Sequence, residues 1–125
     1  MALAEEILRS QFGEKIVNHF TYVIASDGDL MEGISHEVAS FAGHLKLNKL
    51  IVFFDDNGIS IDGPVKLANS ENTAERFKAY GWNTIKINGH KPKEIIQSIK
   101  KAQKSKKPTL ISVSYTHLTL PTIFA

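Results

Sequence analysis

Apolar residues fall into two rhythms along this chain. Short unbroken runs bounded by turn residues predict buried parallel strands at 21–25, 50–54, 82–87 and 109–113. Between them the spacing becomes helical. Leu3, Ile7 and Leu8 predict a helix over 1–12 that Gly13 stops. Ile34, Val38, Phe41, Ala42 and Leu45 fall at i, i+4, i+7, i+8 and i+11, one face of a second helix starting near Gly33. Asn72 and Glu75 stand at capping spacing before a third helix, whose apolar side is Ala74, Phe77 and Tyr80 and whose stop is Gly81. Pro92 opens a fourth, continued by Ile95, Ile96, Ile99 and Ala102. The order α-β-α-β-loop-α-β-α-β predicts an α/β fold, a parallel sheet flanked by helices with right-handed crossovers.

Two details sharpen that picture. The second helix also carries the small residues Ser35, Ala39, Ser40 and Gly43. They suit either tight packing on the sheet or close approach of a partner subunit. The polar stretch 55–69, broken by Gly58, Gly63 and Pro64, is long for a structureless loop, and such loops are usually functional.

The chain has 125 residues, 42% hydrophobic and 22% charged, the composition of one globular domain or part of one. A net charge of +2 gives no reason to expect nucleic acid or an anionic membrane as partner. Lys100, Lys101, Lys104, Lys106 and Lys107 read as a solvated helix end, since no aromatic residue interleaves them. No apolar run approaches the ~20 residues of a membrane span. The absence of cysteine excludes disulfides, thiolate metal sites and a cysteine nucleophile, and fits a cytoplasmic setting. The first helix begins without a capping residue, which suggests a segment of something longer.

The candidate chemistry sits where two strands end. Ser26-Asp27-Gly28-Asp29 follows the first strand, and Asp55-Asp56-Asn57-Gly58-Ile59 follows the second. Open α/β sheets bind ligands at such ends. Magnesium takes six oxygens and commonly shares them among carboxylate, water and phosphate. Asp27 offers a carboxylate, Asn57 an amide oxygen and Ile59 a backbone carbonyl. Gly28 lets a phosphate approach its N–H. The helix from Gly33 would point its own N–H groups at the same space. Either turn alone is ordinary turn chemistry; two matched turns are the more specific signal.

The run from Ser26 through Met31-Glu32-Gly33-Ile34-Ser35-His36-Glu37 resembles the transketolase family. So do Ala42-Gly43-His44-Leu45-Lys46-Leu47, Asp55 through Asp62-Gly63, Ala79-Tyr80-Gly81-Trp82 and Lys107-Pro108-Thr109-Leu110-Ile111. The resemblance covers about residues 1–113, read as a partial pyrophosphate-binding domain. It implies thiamine diphosphate and Mg as cofactors. Asp27, Asn57 and the Ile59 carbonyl would hold the metal, Gly28 would lie against the diphosphate, and Ile61 would pack on the thiazolium ring. Glu32 would sit at a homodimer interface. The parent would move a two-carbon ketol unit between sugar phosphates. No catalytic residue is expected in this segment, and the chain alone is expected to be inactive.

Ser26 departs from the glycine usual in the family motif but leaves the metal carboxylate intact. Residues 114–125 carry no charge unless His117 is protonated and show no period, so they read as an appended tail. His36 and His44 suit packing or surface roles, and His19, His90 and His117 suit turns or the tail. Two other readings stay open: a related thiamine enzyme such as a dihydroxyacetone synthase, and a non-catalytic oligomerisation or regulatory module.

Overall fold

The structure is a computed structural model, and it describes residues 1–60 and 63–115. Helix α1 (Ala2–Phe12) leads into β1 (Thr21–Ala25), followed by two helices, α2 (Asp27–Met31) and α3 (Gly33–His44). Strand β2 (Leu50–Asp56) opens into a small hairpin, β3 (Ile59–Ser60) with β4 (Gly63–Pro64), and a 3₁₀ turn at Val65–Leu67. Then come α4 (Thr73–Ala79), β5 (Asn83–Asn88), α5 (Pro92–Gln103) and β6 (Thr109–Ser114).

The four long strands form one sheet in the order β1-β2-β6-β5, and every pairing is parallel. Side chains of β2 and β6 alternate between two cores, as a period of two requires. Val52, Phe54 and Leu110 face Ala39, Ala42, Phe77 and Trp82 of the α3–α4 side. Ile51 and Ile111 face Ile87 and Ala102, with Ile95 of α5 packed beside them. The predicted α/β sheet with helices on both faces is therefore the observed one.

Element ends moved where hydrogen bonding decided them. β2 runs two residues past the predicted stop because Asp55 and Asp56 pair with Val113 and Ser114 of β6. Trp82, predicted as the first residue of a strand, closes α4 instead. The Trp82 N–H reaches the Phe77 carbonyl at 3.0 Å and Gly81 N–H reaches Lys78 at 2.9 Å, with Gly81 at φ 88°. This is a Schellman cap, and the Phe77 and Trp82 rings meet edge-on at 5.0 Å across it.

Two predicted apolar faces point outward. On α1, Leu3, Ile7 and Leu8 are at least 39% exposed, whereas the carboxylate-bearing Glu5 is buried. Glu5 is drawn in by Lys49, whose ammonium lies 2.7 Å from its carboxylate and 2.6 Å from Asn18 Oδ1. On α3, Ile34, Val38, Phe41 and Leu45 are exposed, and Ala39, Ala42 and Gly43 are buried. A Cβ on Gly43 would collide with the Tyr80 carbonyl, and the indole N–H of Trp82 donates to the Ala39 carbonyl at 2.7 Å. The small residues at 39 and 43 thus serve contact within the chain.

Candidate functional site

The register of β1 on β2 builds the site. Ala25, the last residue of β1, lies opposite Phe54, so Asp27 at the start of α2 and Asp56 at the end of β2 line one depression. Neighbouring strands are about 4.8 Å apart, close enough for their charges to interact. Burial, and then the charges of Asp56 and Asp55, push the Asp27 carboxyl above the usual carboxylate range. Asp27 Oδ2 and Asp55 Oδ1 are both buried without a hydrogen-bond partner. A buried carboxylate oxygen with no donor is unfavourable by itself, and a cation would relieve it.

Around these oxygens the other acceptors are tied. Asp55 Oδ2 accepts from the Tyr115 hydroxyl at 3.0 Å and lies 3.4 Å from Asn57 Nδ2. Asp56 Oδ2 accepts from Ser112 at 2.8 Å, with the Lys86 ammonium at 4.0 Å. Asn57 folds its side chain over the turn, and its Oδ1 accepts from the Ile59 N–H at 2.8 Å. That oxygen keeps a second lone pair.

A short helix stands where a turn was expected. α2 starts at Asp27, so the first free N–H groups after the motif belong to α2, and α3 begins only at Gly33. Asp29 Oδ2 accepts from Ser26 N–H at 2.8 Å and from the Ser26 hydroxyl at 2.7 Å. Those two bonds hold the Asp29 carboxyl below its usual range. Ser26 thus has a local role that glycine at this position would lack. A Cβ on Gly28 would meet nothing closer than the Ser26 hydroxyl at 4.0 Å. Packing within the chain does not call for glycine there.

The predicted residues separate into groups. α2, which holds Asp27 and Gly28, packs against β2 and against β3, which holds Ile59, whereas Asn57 is bonded to Asp55, Tyr115 and Ile59. Glu32 is exposed at the junction of α2 and α3. Ile61 lies outside the described residues. Sequence reasoning did not single out Asp55, although it stands inside the motif; its buried orphan oxygen is visible only in three dimensions. No group of three or more His, Cys, Asp or Glu among the described residues is arranged to hold a metal. A set of one carboxylate, one amide and one carbonyl is of a different kind. His36, half-buried, lies 3.2 Å from the Tyr80 hydroxyl, a packing role.

Parallel strands, helices on both faces and half-buried acids at the strand ends define an α/β binding domain of the kind that takes ligands at the carboxyl edge of its sheet. A family model for the thiamine diphosphate binding domain of transketolase matches residues 1–119. The chain belongs to that family. It is 53% identical over 120 residues to a transketolase of Staphylococcus aureus (strain MW2), covering 93% of this chain and 18% of that protein. It is 49% identical over 112 residues to one from Sinorhizobium medicae, covering 90% and 16%. The solved transketolase of Campylobacter jejuni superposes with a TM-score of 0.89 at 42% identity, over 90% of this chain and 18% of that one. A Pichia stipitis transketolase, solved in complex with sedoheptulose 7-phosphate, gives 0.86 at 39%, again over 90% and 18%. The chain therefore spans less than a fifth of the length of these relatives. Among the described residues no helix is long and apolar enough to cross a membrane.

Proposed function

We propose that this chain is the segment of a longer transketolase that grips the diphosphate of thiamine diphosphate through magnesium. Asp27, the Asn57 amide oxygen and the Ile59 carbonyl would be the metal ligands, with Gly28 against a phosphate and Ile61 against the thiazolium ring. One observation carries the reading: buried, partnerless carboxylate oxygens of Asp27 and Asp55 at neighbouring strand ends. A divalent cation supplies the opposite charge those oxygens lack.

The residues of this chain bind and orient. Asp27 would contribute charge, Asn57 would contribute an oxygen held in place by its own turn, and Gly28 would leave room. Thiamine diphosphate, when bound, supplies the electron sink for breaking and making a carbon–carbon bond. The full-length parent would transfer a two-carbon unit between sugar phosphates, as a cytoplasmic homodimer with Glu32 at its interface. Residues 1–113 would be its partial diphosphate-binding domain. The tail expected at 114–125 overlaps β6, which runs to Ser114, and the family match, which runs to 119; the parent's gene sequence tests where foreign residues would begin.

The deciding experiment is Asp27→Ala in the full-length enzyme. Magnesium-dependent binding of thiamine diphosphate, followed by titration calorimetry, should weaken more than about tenfold, or ~1.4 kcal/mol. Unchanged affinity would remove Asp27 from the metal.

A further inference from the structure

Arg76 of α4 lies outside the acidic cluster, yet it is bonded to the helix that carries Asp27. Its side chain is only 11% exposed. Nη2 donates to the Leu30 carbonyl at 3.0 Å, and Nη1 donates to the Glu71 carboxylate at 2.7 Å. Nη1 also stands 2.9 Å from His36 Nε2. The guanidinium carbon lies 5.7 Å from the centre of the Phe77 ring, in cation–π range. Leu30 is the buried residue of α2, the helix that begins at Asp27. Glu71 immediately precedes Asn72, the N-cap of α4, so this pair fixes the guanidinium against the start of its own helix.

The short helix needs such help. Five residues make little more than one turn, too few to hold a helix without tertiary contacts. Its carbonyls at the carboxyl end have no partner inside the helix. Two are met from outside: the Ser35 hydroxyl donates to the Asp29 carbonyl at 2.6 Å, and Arg76 donates to Leu30. The other arm of the same guanidinium holds Glu71. A planar fork with fixed donor directions links two groups at a set separation, which a lysine ammonium on a flexible stem does not.

We infer that Arg76 is a positioning residue: it clamps the carboxyl end of the Asp27 helix to the start of α4 and sets the place of that helix before metal and cofactor arrive. The inference rests on the magnesium–diphosphate reading above. Groups that orient metal ligands commonly change metal affinity about tenfold to hundredfold when removed.

The test uses the full-length enzyme carrying Arg76→Lys, which keeps the charge and loses the fork. Its dissociation constant for thiamine diphosphate at saturating magnesium should rise about tenfold or more. Without cofactor, the backbone amides of residues 28–31 should exchange with solvent about tenfold faster. A purely structural role would lower the melting temperature and leave both quantities where they were. Glu71→Gln, at a half-exposed side chain where folding is secure, cuts one arm and should raise the constant about threefold. Lys78→Gln, on the exposed side of the same helix, is the control and should leave it unchanged. Affinity within about twofold of wild type in Arg76→Lys overturns the clamp. Should that variant not fold, unchanged affinity in Glu71→Gln overturns it. The two readings fail separately: Asp27→Ala without effect sinks the metal site, whereas Asp27→Ala with its effect and Arg76→Lys without one sinks the clamp alone.

Discussion

The two faces of α3 carry opposite kinds of residue from those a simple burial rule assigns. The inner face presents Ala39, Ala42 and Gly43 to Tyr80 and Trp82. The outer face presents Ile34, Val38, Phe41 and Leu45, between 40% and 70% exposed. Space decides the inner face, because the helix backbone touches the α4–β5 corner and no side chain fits between them. The outer face leaves stabilisation unrealised, since a large apolar side chain gains about 1.5–3 kcal/mol on full burial. It is continuous with an apolar depression lined by Val23, Ile24, Leu30 and Val38 beside edge strand β1. Contiguous exposed apolar surface of this kind marks an interaction face. On the homodimer reading proposed above, its occupant would be the second copy.

Substitutions on the two faces should behave differently, and each can break that contrast. The largest effect is expected from Gly43→Ala. Its methyl group meets backbone, which cannot swing aside, so urea denaturation of the chain should show a loss of about 3 kcal/mol, the upper end for overpacking. A loss under about 1 kcal/mol would mean that α3 does not touch the corner so closely. Next comes Trp82→Phe, which removes the indole hydrogen bond to the Ala39 carbonyl and should lower stability by about 0.5–1.5 kcal/mol.

Lys46→Gly should act in the other direction. Lys46 ends α3 at φ 53°, in the left-handed region, where its N–H reaches the Gly43 carbonyl at 3.1 Å. Glycine relieves the Cβ strain there and should raise stability by about 1 kcal/mol. The smallest effect belongs to the outer face. Phe41→Ser should change the stability of this chain by no more than about 0.5 kcal/mol. In the full-length enzyme the same change should shift sedimentation toward monomer; an unchanged dimer would place the interface elsewhere.

Much of the fold was legible because its signals are local. Four apolar runs marked the four strands, and the turns after the first two marked the candidate site. What escaped notice depends on partners far along the chain. Glu5 is buried because Lys49, 44 residues away, reaches it. α2 has too few residues to show a period, and its bonds come from Ser26, Ser35 and Arg76. The orphan oxygens of Asp27 and Asp55 arise from packing, which no spacing records.

By itself the sequence determined which residues stand at the strand ends and how strands alternate with helices, since backbone hydrogen bonding repeats every 2 or 3.6 residues and stamps that period on the apolar pattern. Only the tertiary structure decided which face of α1 and α3 turns inward, that a helix begins at Asp27, and that Arg76 ties that helix to α4. Those outcomes depend on the space and charge left by residues dozens of positions away, and a local period carries no information about them.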